Sequence, residues 1–174
     1  MVSEEPVYLV PYDPEWARLF AAERALLEPV LRPWLAGPIE HIGSTAIPGL
    51  PAKPVIDIMA GVRDLASSHG AQAALADLHY MYSPYRSDVM HWFCKPSPAH
   101  RTHHLHLVPV SSSLWSGRLA FRDYLRKSAS AADEYAKLKI DLAERYRFDR
   151  EAYTEAKSDF VRSIIERARQ ESNA

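Results

Sequence analysis

The chain has one cysteine, no long apolar run and almost no net charge, and each shortage excludes something. Cys94 has no second thiol to pair with, so an internal disulfide is impossible and a reducing compartment suits the chain. No stretch approaches the ~20 consecutive apolar residues of a membrane-spanning helix. The opening MVSEEPVYLV is acidic, where a signal peptide would be basic and then apolar. A cytoplasmic protein with no membrane partner is the expectation. A formal net charge of −1 supplies no global field for nucleic acid, so nucleic-acid binding is disfavoured and any basic surface must be local. Internal repeats, low-complexity tracts and long linkers are also missing. What is present is 174 residues, 47% hydrophobic, enough to bury a core without disulfides or a structural metal, and one domain over residues 1–174 is expected.

Taken in order, the chain reads as strands first and helices last. Val7 to Val10 is β-prone. Asp13 and Pro14 then announce a helix, as N-cap and first helical residue, whose apolar face carries Trp16, Leu19, Phe20, Leu26, Leu27, Val30 and Leu31. Pro29 and Pro33 kink or end it. Ile39 to Ile42 and Pro54 to Val62 read as strands, Asp64 to Leu78 as an Ala-rich helix, and Tyr80 to Tyr85 with Val89 to Lys95 as a hairpin turning at Arg86-Ser87-Asp88. A further strand is predicted over Thr102 to Val110. Helices are predicted over Leu119 to Arg126, over Ser130 to Arg145 with Ser130 and Asp133 as a capping pair, and over Asp149 to Gln170 with Asp149 as N-cap. This order suggests an α+β protein with helices mainly on one face of a mixed sheet and a helical C-terminal third.

The chemistry concentrates between Ile39 and Val62. Gly43-Ser44 follows an apolar strand, where a glycine lets the backbone approach a ligand closely and a serine hydroxyl can receive phosphate oxygens. Asp57 stands inside Val55-Ile56-Asp57-Ile58-Met59. A carboxylate in an otherwise apolar strand costs several kcal/mol unless it is hydrogen-bonded, paired or metal-bound. In Thr102-His103-His104-Leu105-His106-Leu107, alternation puts His104 and His106 on one face and His103 on the other. If the two strands are neighbours, Asp57 meets His104 or His106. The three would then hold a divalent metal or form an acid–base centre, the alternative being hydrogen-bonded structural residues. His41 suits a site or a packed strand equally. Lys53, Arg122 and Lys139 are candidates to neutralise a phosphate, against the plainer readings of a solvated lysine and a surface charge network that includes Arg126. Trp92, Phe93 and Trp115 read as core or pocket lining, and Cys94 as a small buried hydrophobe.

Together EHIGSTAIPGLPAKPVIDIMAGV, THHLHLV, FRDYLRKSASAADEYAKLKIDLAERY and AYTEAKSDFV, with PYDPEWARLFAAE near the start, resemble the GrpB family along nearly the whole chain. The resemblance implies a nucleotidyltransferase-like fold. With Gly43-Ser44 and Asp57 matching the wider superfamily's pattern, it joins the residue reading in an expected transfer from a nucleoside triphosphate to a small-molecule acceptor, with the nucleotide at Gly43, Ser44, Lys53, Arg122 and Lys139 and with Asp57, His104 and His106 as catalytic and metal residues. Related domains fused to dephospho-CoA kinase place the alternative, a nucleotide- or metabolite-binding module without transfer, near coenzyme A metabolism. In the wider superfamily two magnesium ions sit on three carboxylates. Here Met59 stands where the second acid belongs and the third position falls in the histidine strand. The ion implied is therefore magnesium on a reduced acid set or a transition metal on mixed ligands.

Overall fold

The computed structural model describes residues 5–174. Helix α1 runs Glu15–Leu31 and strand β1 Leu35–Ile42. A single 3-10 turn at Ser44–Ala46 and a Pro-rich crossing lead to β2, Ile56–Val62. Then come α2 at Ala71–Ala76, β3 at Met81–Ser83, β4 at His91–Pro96 and β5 at Arg101–Pro109. Four helices finish the chain: α3 Ser113–Lys127, α4 Ala129–Arg145, α5 Arg150–Glu155 and α6 Ser158–Ser172.

The five strands form one mixed sheet in the order β1-β2-β5-β4-β3. Its only parallel pair is β2 with β5, in the register Asp57↔His104 and Met59↔His106. Parallel neighbours need a crossover connection, and α2 with the β3–β4 hairpin supplies it. The alternation anticipated from sequence therefore puts Asp57, His104 and His106 on one face, with Ile56, Ile58, Leu105 and Leu107 on the other. That other face packs under α1 and α2 through Trp16, Leu27, Leu31 and Leu75. On the Asp57 face a smaller cluster of Met59, Trp92, Cys94 and Val108 packs against Trp115 of α3. Helices α3, α4 and α6 build their own core of Phe121, Leu125, Tyr135 and Ile164 around Ile47 and Leu50 of the crossing. The rest of the Asp57 face is left as a cleft.

Several boundaries differ from the sequence reading, for local reasons. Val7 to Val10 contributes an isolated bridge, Val10 to Ala52, and no strand of the sheet. The predicted helix over 64–78 shrinks to α2, because Asp64 accepts from the Ser67 amide at 2.7 Å and the Ser68 hydroxyl donates to the Asp64 carbonyl at 2.8 Å. Such side-chain bonds compete with the helical ladder. The hairpin closes from Ser83 to Trp92, so its loop is longer than the three residues predicted. Ser112 caps α3 by accepting from the Trp115 amide, starting that helix six residues early. Ser128, not Ser130, caps α4. Asp149 caps its helix as predicted, but the helix breaks at 156–157 into α5 and α6.

Candidate functional site

The cleft encloses about 900 Å³ and is floored by Asp57, His104 and His106. Its volume falls within the ~300–1,000 Å³ of typical small-molecule sites. Seven basic side chains line it against four carboxylates, in a chain whose net charge is −1.

At the floor, His104 Nδ1 lies 2.9 Å from Asp57 Oδ1. Asp57 stays a carboxylate: burial pushes its carboxyl up, but hydrogen bonds and charge from His104 and His106 outweigh this and hold it well below the usual range. The proton between the pair therefore belongs to His104 Nδ1, which leaves Nε2 as the acceptor nitrogen. That Nε2 is buried and, like Nε2 of His106, has no hydrogen-bond partner among the described residues. His106 is set the opposite way. Arg118 of α3 places Nη1 3.0 Å from His106 Nδ1, and a guanidinium only donates. Neutral His106 then carries its hydrogen on Nε2, 3.5 Å from Asp57 Oδ1. Burial and the Arg118 charge together push the His106 imidazole down to about 4, so it is neutral at pH 7. Two histidines of one strand thus present opposite chemistry, a bare nitrogen on His104 and an N–H on His106.

The Gly43–Ser44 turn is held against this floor. Gly43 has φ +71°, and a Cβ there would stand 2.7 Å from Asp57 Oδ2. Both the backbone angle and the space demand glycine. Behind the turn, His41 Nε2 donates to the Thr45 hydroxyl at 2.9 Å, which donates in turn to the Val55 carbonyl at 3.2 Å. The His41 ring stacks on Phe20 with centroids 4.7 Å apart. From α3, Arg122 Nη1 reaches Glu40 at 2.6 Å and the His41 carbonyl at 3.1 Å, while Arg126 Nε donates to the Ala46 carbonyl at 2.9 Å.

A family description reading "GrpB protein" matches residues 6–167. The chain belongs to the GrpB family. It is 35% identical to the glutamate-rich protein GrpB of Alkalihalophilus pseudofirmus, over 94% of this chain and 97% of that one. A UPF0157 protein of Pseudomonas aeruginosa is 38% identical, over 95% of this chain and 69% of its own length. The crystal structure of GrpB from Enterococcus faecalis superposes with a TM-score of 0.85 at 29% identity, covering 96% of this chain and all of that one. A dephospho-CoA kinase of Mycolicibacterium paratuberculosis is 29% identical over 96% of this chain but only 47% of its own length.

Within this GrpB fold, the residues singled out from sequence do not all meet. Asp57, His104, His106, Ser44, Lys53 and Lys139 line one cleft, and Gly43 abuts Asp57 from behind. Arg122 is not brought there. Its guanidinium is tied to Glu40, Asp123 and the His41 carbonyl, so it braces the turn and the phosphate role expected of it is not what its position serves. One turn earlier on α3, Arg118 takes the place at the floor. Its i, i+4 spacing to Arg122 was the available signal, but which end of the helix faces the cleft depends on how the helix docks. Lys157 and Tyr153 were also missed, because both depend on the break between α5 and α6.

One ring nitrogen from each histidine and a carboxylate oxygen of Asp57 lie within 4.8 Å of one another. One carboxylate with two imidazoles does not fit a magnesium pair. A three-ligand transition ion does not fit either while Arg118 donates to His106 Nδ1, because a metal-bound histidine normally donates its second N–H outward. Asp57 and His104 are the residues left to hold an ion. Among the described residues no helix is long and apolar enough to cross a membrane.

Proposed function

We propose that this chain is a nucleotidyltransferase-like enzyme that joins a nucleotide, delivered as its triphosphate, to a hydroxyl of a small-molecule acceptor in the cytoplasm. The observation that carries the reading is the Asp57–His104 pair, 2.9 Å apart and with His104 Nε2 bare, on the wall of a basic cleft of nucleotide size. His104 Nε2 takes the acceptor's hydroxyl proton, the oxygen attacks the α-phosphorus, the bond to the bridging oxygen breaks, and pyrophosphate leaves. Asp57 stabilises the imidazolium that forms, and the His106 N–H and the Ser44 hydroxyl meet charge developing on the phosphate. A divalent ion enters as part of the substrate, on the triphosphate. Tyr85 and Phe148 line the same cleft while 49% and 85% exposed, and such aromatics suit stacking on a nucleobase.

The test is pyrophosphate release from labelled nucleoside triphosphates with a panel of acceptors and divalent ions. Asp57→Ala and His104→Ala should each lose about 10²-fold or more. Ligand binding without turnover under every ion would leave the alternative, a nucleotide- or metabolite-binding module, for which the partial likeness to a dephospho-CoA kinase supports a link to coenzyme A metabolism. A second reading gives Asp57 and His104, the two residues that the Arg118 bond to His106 leaves available, a bound transition ion. Titration with zinc and manganese should then show one saturable site that Asp57→Ala removes.

A further inference from the structure

The two histidines on the floor share one strand and one face, and they differ in what stands beside Nδ1. At His104 it is the Asp57 carboxylate, which accepts and so leaves Nε2 bare. At His106 two groups compete. Arg118 Nη1 lies 3.0 Å from Nδ1 and Met90 Sδ lies 3.4 Å from it. They require opposite tautomers. A guanidinium only donates, so its bond needs Nδ1 bare and the ring hydrogen on Nε2, whereas a thioether sulfur is a weak acceptor that needs the hydrogen on Nδ1 and would leave Nε2 bare. A charged donor makes a bond about twice as strong as a neutral one, and Arg118 Nη2 also approaches the same sulfur, at 3.8 Å. Arg118 therefore decides the tautomer and occupies its competitor as well.

The rest of the floor is built as a metal site would be. A carboxylate oxygen of Asp57 and one nitrogen from each ring fall within 4.8 Å of one another, and two imidazoles with one carboxylate are a donor set that transition ions take. The obstacle is the hydrogen on His106 Nε2, the nitrogen 3.5 Å from Asp57 Oδ1. A nitrogen that carries a hydrogen has no lone pair for a metal. Arg118 adds a second obstacle, because its fixed positive charge repels an incoming cation.

We infer that Arg118 is a positioning residue that decides what the floor can bind: it fixes His106 as an N–H donor and bars it from ligating a metal ion. That this donor serves a phosphate oxygen rests on the transfer reading above; the choice between donor and ligand does not. Without Arg118, Met90 Sδ is left to take the Nδ1 hydrogen, Nε2 becomes bare, and the floor gains its third ligand.

The experiment combines NMR of the ring nitrogens with calorimetric zinc titration, both on the intact chain at pH 7. In the wild type the His106 ring should carry its hydrogen on Nε2 alone, and His106→Ala should leave zinc affinity unchanged. Arg118→Gln should move the hydrogen to Nδ1 and raise zinc affinity by about tenfold or more, the range that groups behind metal-bound histidines command. Adding His106→Ala to Arg118→Gln should abolish that gain, which separates a new ligand from the mere loss of a repelling charge. Neither readout needs turnover, so this pattern in a chain that releases no pyrophosphate supports the inference and overturns transfer alone. A hydrogen on His106 Nδ1 in the wild type overturns the inference, and needs no variant to fold. So does wild-type zinc binding that His106→Ala weakens, a gain that survives His106→Ala, or an Arg118→Gln chain with wild-type circular dichroism and no gain.

Discussion

Two buried polar clusters sit on opposite faces of the same sheet, and one is closed while the other is open. Under α1, Glu23 accepts from Tyr80 at 2.8 Å and from Lys95 at 2.5 Å, with His103 Nε2 3.8 Å from its second oxygen. The acid and the base are matched, and Lys95 also lies 4.9 Å from the Tyr80 ring. On the cleft face Asp57 meets two histidines whose Nε2 atoms have no hydrogen-bond partner among the described residues, and neither Lys139 nor Lys157 has an ion pair with a carboxylate among them. A closed cluster is a complete structural unit, whereas an open one is complete only with something added. The contrast separates three histidines of one strand that look alike in sequence: His103 belongs to the first cluster, His104 and His106 to the second.

The comparison can be broken from either side. The largest effect is expected at the open cluster's chemistry. His104→Ala should cost turnover about 10²-fold or more and, by stripping Asp57 of its hydrogen bond, about 1–3 kcal/mol of stability; turnover kept near that of the wild type would make His104 a structural residue. Next, Glu23→Ala strands Lys95 and Tyr80 in the closed cluster and should lower unfolding free energy by about 3 kcal/mol, with triphosphate affinity unchanged. Gly43→Ala forces a side chain into Asp57 at a positive φ, and a loss of about 1–3 kcal/mol is expected, together with turnover. An active, stable alanine variant would mean the turn is not pressed on the carboxylate.

The smallest effect is the most telling. Lys157→Met removes a charge that no carboxylate among the described residues pairs with, and should stabilise the unliganded chain by about 1 kcal/mol, opposite in sign to Glu23→Ala. Its pH dependence follows from linkage. The folded chain holds Lys139 and Lys157 near 7 against 10.5 when unfolded, so between those values the unfolded state binds more protons. The wild type's penalty is full below about 7 and fades as pH rises through the window. Lys53, Asp57, Tyr135 and Tyr153 are the ionisable groups that face them. The stability gap between wild type and Lys157→Met should therefore shrink from pH 7 to pH 10; a gap constant with pH would show that Lys157 is not held in a depressed state.

Much of the floor was legible in the sequence because strand alternation is local arithmetic. Once His104 and His106 share a face and Asp57 alternates on an apolar strand, adjacency of the strands is the one unknown, and the β2–β5 pairing supplies it. The Gly43 requirement was equally legible in kind, though not its cause, which is the Asp57 carboxylate. What was hidden depends on docking. Arg118 and Arg122 are equivalent by helical spacing, yet one polarises His106 and the other braces Glu40. Lys157 enters the cleft because the chain turns at 156–157, where the helical pattern through 149–170 gave no break. His41 was evenly balanced between site and packing, and its bond to Thr45 makes it the support of the turn.

The partners of the dyad stand 47 positions apart, and the loop closed by their contact contains α2 and the entire β3–β4 hairpin. Closing such a loop is an entropic cost borne before β2 and β5 reward it. Asp57 and His104 therefore meet only after the crossover has laid down its intervening elements, and a nick or slip anywhere in that excursion silences the pair without touching either residue. Competence at the floor is thus a report on the integrity of roughly a quarter of the chain, written at a single 2.9 Å contact.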